Sequence, residues 1–478
     1  MRNFFAGAVA LALMSASAQA QTSTPFTAAV GANAPTPTPF ASNDGQIPPN
    51  YPNPLFKLSH DYPSTLAPEP PDPPWRHAIG DGQITVDNAG AYVAALKEYV
   101  SQDMRLLLDD SPKWNPAALG WYNEPWTGYL REATRGMYVG SSPFAAELFN
   151  GSGLTKPFTT YVLTFYDKRA ANALYNVWGA TATRPKIQAG APQFAEASVV
   201  VKAAFSTANA DAWPVMQGAR EWTLYISTNA TKNRGRTAPP ELDPTSFFQF
   251  DIIVKDTKSA PKTGWVFSTL VYDKDAPGND FWDKMVPLGA MWGNDPQATS
   301  PDQKLMENWI NPAAPAYAKM TLGWGGRLSG PNDGARNDAL IDEASPPAIK
   351  PNLPSSSCMS CHSVAEWPMK SFLLPTSSDP QQFFPPIPVN SDYLYMWPPG
   401  STGATEDGSP RWTHWFQSRL GTEPADAGTV AFDYDMVFTF KSLMAWQSAQ
   451  PGARATALGL AARRLTPILS YNGRPFGG

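Results

Sequence analysis

Both cysteines of this 478-residue chain fall in one short stretch, SSSCMSCHSV, at residues 355–364. Cys358 and Cys361 are separated by two residues, and His362 follows directly. Four chemistries use such a set. Covalent haem attachment adds the two thiols across the vinyl groups on one porphyrin edge and carries the next imidazole over the iron. Structural zinc wants four ligands, and no second thiol pair exists here to complete them. A thioredoxin-like dithiol expects a βαβ setting, whereas this stretch follows a proline-rich loop. A plain disulfide makes poor use of so short a span. Haem attachment is the expectation, with a redox dithiol as its main rival.

The compartment bears on that choice. Arg2 supplies a basic start, Phe4 to Met14 is an unbroken apolar run, and Ala18-Gln19-Ala20 is a small-residue cleavage pattern. This is the pattern of a signal peptide, residues 1–20, cut near Ala20 so that the mature chain begins at Gln21. The apolar run falls short of the roughly 20 residues that span a bilayer. No later segment reaches that length without charges, so the expected product is exported, periplasmic and not an integral membrane protein. An uncleaved anchor is the alternative. A formal charge of −5 provides no basic field for nucleic acid. With its two cysteines together, the chain has no disulfide framework of the kind small exported domains use. Its 50 prolines are about twice the usual share of roughly 5%, so loops should be long and numerous.

These residues need elements to position them. Residues 21–80 read as an extended Pro-rich leader. Residues 81–295 read as a helix followed by a β-rich domain. Helical spacing runs through DNAGAYVAALKEYVSQDMRLLLDD, with Val93, Leu96, Val100, Leu107 and Leu108 on one face. From Phe158 to Tyr272, TTYVLTFYD, ASVVVKAAF, REWTLYIS, FFQFDIIVKD and GWVFSTLVYD are short and rich in β-branched and aromatic residues. They predict an antiparallel sheet or sandwich. After Asp280 the strand signal fades, and a helical piece is expected around Asp302 to Ile310. Residues 296–478 form the candidate haem domain, irregular and mostly α-helical, with a helix over Asp433 to Gln447. The whole is α+β. No fixed internal period points to a propeller or solenoid.

Cys358, Met359, Ser360, Cys361 and His362 resemble the attachment motif of the c-type cytochromes. The resemblance implies one covalently bound haem c, with Cys358 and Cys361 as thioether cysteines and His362 as the proximal iron ligand. A looser likeness, in GWGGRLSGPND before the motif and FDYDMVFTFKSL after it, is to large monohaem proteins with an aromatic-rich β region upstream; it implies no defined reaction. The chain departs from small cytochromes c, which have a helix shortly before the motif. Pro346, Pro347, Pro351 and Pro354 oppose one here, so the compact three-helix haem fold is not expected.

A sixth iron ligand would keep other molecules off the metal, and methionine opposite histidine raises the potential. Met396, in the irregular DYLYMWPPG, is the first candidate. His414 and Met436 are the alternatives, while Met369 sits too close to His362 and Met444 reads as core. Arg327 and Arg336 are candidates to neutralise porphyrin carboxylates. NEPW at 123–126, beside Trp114, Trp121 and Tyr129, reads either as a lid over the β domain or as an aromatic platform for a ring ligand. Function follows in three versions. The first is a carrier passing single electrons between redox-protein donors and acceptors, with docking on a membrane enzyme left open. The second is a haem enzyme or gas sensor with an open iron site. The third is a β binding module with an attached redox haem.

Overall fold

The computed structural model describes residues 38–40, 47–48, 51, 55–127, 131–144, 146–226, 241–333, 356–369 and 410–450. Segment 1–20, Met396 and Arg336 lie outside these.

The fold is α+β, organised around one antiparallel sheet. Its strands are β1 (Trp121–Tyr122), β2 (Tyr138–Phe144), β3 (Phe158–Asp167), β4 (Val199–Ser206), β5 (Glu221–Ile226), β6 (Glu241–Lys255), β7 (Trp265–Tyr272), β8 (Met285–Met291) and β9 (Asn308–Ile310). They run in the order β1-β3-β4-β6-β7-β8-β9, with β2 also on β3 and β5 also on β6. The five expected strands are β3 to β7. Every residue of β7 is buried, as are all but the last of β3. Strands covered on both faces read as continuous apolar runs, which is why these two show no alternation. β5 keeps it, exposed and covered positions alternating at Glu221 to Leu224.

One face of the sheet is closed by aromatic rings and the helix Ala89–Leu108. Phe205 stacks on Trp222 at 4.5 Å, and Phe250 meets Trp282 edge-on at 5.1 Å. The helix reaches the same rings: Trp222 Nε1 donates to Leu108 O, and Lys97 lies over Trp282 at 5.8 Å. Trp114, Trp121 and Trp126 are buried, and no tryptophan stands among the exposed large apolar side chains of the described residues. The surface platform of rings that a binding module would need is therefore not present in these tryptophans.

Three expectations differ from the structure. The strand signal after Asp280 faded because β8 contains Pro287 and Gly289, both weak strand formers. Pro287 sits where the ladder to β7 slips, next to Leu270, the kind of irregular position where a strand tolerates proline. The helix expected over Asp302 to Ile310 is a turn leading into β9, because Trp309 and Ile310 pair with Ala290 and Gly289.

The helix expected over Asp433 to Gln447 begins later. Asp433 and Tyr434 adopt left-handed conformations (φ 47° and 68°). Asp435 then accepts from Val437 N and Phe438 N at 2.8 and 3.0 Å. The chain continues as π-helical turns over Val437–Leu443 and as α-helix over Met444–Ala449. Among the described residues no helix is long and apolar enough to cross a membrane.

Phe250 lies on the ring-covered face of central β6, fully buried. Phe250→Ala is expected to cost about 3–5 kcal/mol, read from the urea unfolding midpoint. Because the residue faces away from the motif, ligand chemistry at the motif should be unchanged. A loss below about 1 kcal/mol would contradict the packing described.

Candidate functional site

The five residues Cys358–His362 form a single helical turn. So short a helix does not stand alone, and the sequence around it supplies its supports. Ser357 caps it: Ser360 N donates to Ser357 Oγ at 3.2 Å, and Ser357 N donates back to Ser360 Oγ at 2.9 Å. The serines of SSSCMSC are thus a capping box in which Ser360 takes the usual glutamate's place. Helical spacing puts positions i, i+3 and i+4 on one face, here Cys358, Cys361 and His362. Met359 turns the other way and is fully buried, its N–H against Met291 Sδ at 3.4 Å.

The glycine-rich run before the motif docks it. Cys358 N donates to Leu328 O at 3.0 Å, and Trp324 N to Ser356 O at 3.0 Å. A Cβ on Gly323 would stand 1.7 Å from Ser356 O, so only glycine permits that approach. Arg327 is fully buried and donates to the carbonyls of Asn294, Trp324, Asp295 and Ala298. It braces the loop and does not line the site.

The face bearing the two thiols and the imidazole opens on a cavity of about 200 Å³ against the other face of the sheet. Alternate residues of four strands make its floor. Register places Thr164, Lys202, Asp251 and Thr269 in one row, and Tyr166, Val200, Ile253 and Phe267 in the next. One row is polar and the other largely apolar. The opposite wall is Asp433 to Val437 with Phe440 and Lys441, at the π-helical turns that recur at functional sites.

Within the polar row, Lys202 Nζ lies 2.9 Å from Asp251 and 3.1 Å from Asp333. Thr269 Oγ1 donates to Asp251 at 2.8 Å, and Gln249 Nε2 bridges Asp251 and Asp333 at 3.0 and 3.2 Å. Burial opposes the charge on Lys202, but the two carboxylates hold it well above its ordinary value. Burial lifts Asp251 above the carboxylate range, with Lys202 opposing. Burial pushes Asp333 up, but the Lys202 charge together with hydrogen bonds from Lys202, Gln249 and Asn332 holds the carboxyl low.

His362 Nδ1 stands 2.7 Å from Tyr434 O. A carbonyl only accepts, so Nδ1 carries the proton and Nε2 has the lone pair. Phe267 supports the ring edge-on at 4.9 Å. Burial pushes the imidazole down to about 4, against the pull of the Tyr434 bond, so it is neutral, as a metal ligand requires. The two cysteines form no disulfide. Burial pushes Cys361 up to about 12 and Cys358 well up likewise, the opposite of the thiolate an oxidoreductase dithiol uses. Among the described residues, ligating groups close enough to share an ion are the exposed Asp72, His77 and Asp81, with no cysteine among them.

Of the other candidates, Met436 lines the cavity. Its Sδ accepts from Thr439 Oγ1 at 3.9 Å. His414 does not line it; its Nε2 lies 3.6 Å from Asp426 and its ring tilts on Trp415 at 5.2 Å. Met369 and Met444 are buried elsewhere. Lys202, Asp251, Asp333, Asp433 and Tyr434 escaped the sequence reading. A signal existed for two of them: Lys202 and Asp251 are charges inside otherwise apolar strands.

Comparison with protein-family models, with curated proteins and with solved structures produced no match.

Lys202→Met leaves buried Asp251 and half-buried Asp333 side by side without their cation, and a loss of about 3 kcal/mol is expected at pH 8. Without the lysine, Asp251 rises further above its unfolded value of about 3.9. The folded state then binds the proton more tightly than the unfolded chain, so stability is greatest at low pH and is lost as pH rises. Urea titrations should show most of the loss recovered near pH 4–5. A deficit equal at both pH values would make it one of packing.

Proposed function

We propose that the chain is a periplasmic monohaem c-type cytochrome that passes single electrons between redox proteins. One observation carries the reading: two unbridged thiols and an imidazole with a free Nε2 share one face of a docked helical turn and open on one cavity. The donor set fits haem c. Cys358 and Cys361 would hold the porphyrin by thioether bonds, and His362 Nε2 would bind the iron. The cofactor supplies the one-electron chemistry.

This chain's residues do the rest. Tyr434 O fixes the tautomer of His362 and makes its ring a stronger donor, as a partner beyond the metal's own ligands generally does. Val200, Ile253, Phe267, Val437 and Phe440 give the cavity apolar walls that keep water from the metal's surroundings. Met436, brought to the same cavity, is the sixth-ligand candidate within the described residues, and Met396 remains the candidate outside them. Arg327 is spoken for by backbone carbonyls, so among the described residues the cavity cations are Lys202 and Lys441. Residues 1–20 are proposed to direct export and to be cut near Ala20. Docking on a membrane enzyme is one form the redox partnership would take.

A second reading, an enzyme or gas sensor with an open iron position, is favoured by the Lys202–Asp251–Asp333 group. Buried titratable groups beside a metal suit proton delivery, which a plain carrier does not need.

The expected product of expression with haem-maturation machinery is coloured, with an intact mass equal to residues 21–478 plus one haem. Cys358→Ala with Cys361→Ala should lose the covalent increment, and His362→Ala the low-spin spectrum. A colourless wild-type protein of bare polypeptide mass would sink the reading. Carbon monoxide on the reduced protein separates the two versions: no spectral change supports the carrier, and rapid complex formation supports the open site.

A further inference from the structure

The carbonyl that holds His362 belongs to a turn that the local sequence does not favour. Asp433 and Tyr434 are consecutive non-glycine residues with φ of 47° and 68°. Side chains with a Cβ rarely adopt that region, and two in succession persist only where the surroundings over-determine them. Both residues are buried, at 1% and 4% exposure.

What over-determines them is one carboxylate. Asp433 Oδ1 accepts from Lys255 Nζ at 2.6 Å and from Trp265 Nε1 at 2.7 Å, and Oδ2 accepts from Phe194 N at 2.8 Å. These donors come from β6, β7 and the loop before β4, three separate parts of the sheet domain. Gly421 makes room for the group: a Cβ there would stand 1.7 Å from Asp433 Oδ1. Lys255 lies over the Trp265 ring at 5.1 Å, so cation, indole and carboxylate form one unit. Tyr434 OH donates to Arg419 O at 2.8 Å, fixing the next residue as well.

We propose that Asp433 is a positioning residue for His362, acting through the Tyr434 carbonyl. Its carboxylate anchors the left-handed turn to the sheet, and the turn aims the carbonyl at His362 Nδ1. The consequence is electronic as well as geometric. A carbonyl held on Nδ1–H increases the electron donation of Nε2, and greater donation stabilises the oxidised metal. Releasing the turn removes that push, so the reduced state gains. The inference rests on the haem reading above, but the imidazole's tautomer is a property of the chain alone.

Three full-length variants test it. Asp433→Ala removes the anchor, while Asp433→Asn keeps an acceptor and a residue tolerant of left-handed φ. Asp433→Asn with Lys255→Met removes the buried charge on both sides, so that folding is preserved if the single variants aggregate. In haem-loaded protein at a fixed redox poise, the reduced-to-oxidised ratio should rise at least threefold in Asp433→Ala and less in Asp433→Asn. In the unloaded chain, ¹⁵N spectra of His362 should show the Nδ1–H tautomer in the wild type and a mixture in Asp433→Ala. Folded variants with wild-type ratio and wild-type tautomer would overturn the role assigned to Asp433. A wild type that takes up no haem, yet loses its tautomer preference in Asp433→Ala, would overturn the haem reading and leave the positioning role standing.

Discussion

A sheet covered on both faces is a poor place for charge, because an ion taken out of water carries a penalty of several kcal/mol unless it is paired. Strands β4 and β6 nevertheless carry Lys202 and Lys255 among apolar neighbours. Each finds a partner outside its strand: Lys202 in Asp333, alongside Asp251 on β6, and Lys255 in Asp433. Asp333 ends the glycine-rich run whose Leu328 carbonyl receives Cys358 N. Asp433 begins the turn whose next carbonyl receives His362 Nδ1. The need to neutralise half-buried Lys202 and buried Lys255 therefore pins both walls of the cavity to one sheet face. The relation between the motif helix and its imidazole's partner is inherited from strand register.

Register also explains why the cavity has two characters. Side chains alternate along a strand, so residues two apart on each of four strands make parallel rows. The row through Lys202 is polar across its width, and the row through Val200 and Phe267 is largely apolar. Phe267 of the apolar row supports His362 edge-on, while the Lys202 ion group lies in the polar row of the same floor.

How much of this was legible in the sequence follows from distance along the chain. The thiol spacing, the adjacent imidazole and five of the strands are local features and could be read directly. The serine cap was present as letters, but a serine in place of the usual glutamate, its Oγ accepting from Ser357 N, is a weak local signal. Tyr434 lies 72 residues from His362, and nothing local marks a carbonyl as a partner. Lys202 and Asp251 were misfits in apolar runs, and such misfits record that a partner exists without naming it. The helix expected over Asp302 to Ile310 failed because three residues of β9 were enough to pair with β8, and pairing outweighed a weak helical period. The faded strand signal at β8 had the same origin, tertiary pairing overriding the low propensity of Pro287 and Gly289.

The same reasoning bears on the chain's size. A five-residue helical turn cannot be stable on its own, and a left-handed pair such as Asp433-Tyr434 opposes its own conformation. Neither would hold a ligand in place in a small domain made of local contacts. Both are held here by groups drawn from β6, β7, β8 and three loops, so the sheet is the frame in which each has one position. If the motif binds a redox metal, that frame limits how far the ligands move when the charge on the metal changes, and small movement is what rapid electron transfer requires. A large β domain then serves the site directly, as the rigid body that keeps two locally unfavourable segments in register with one another.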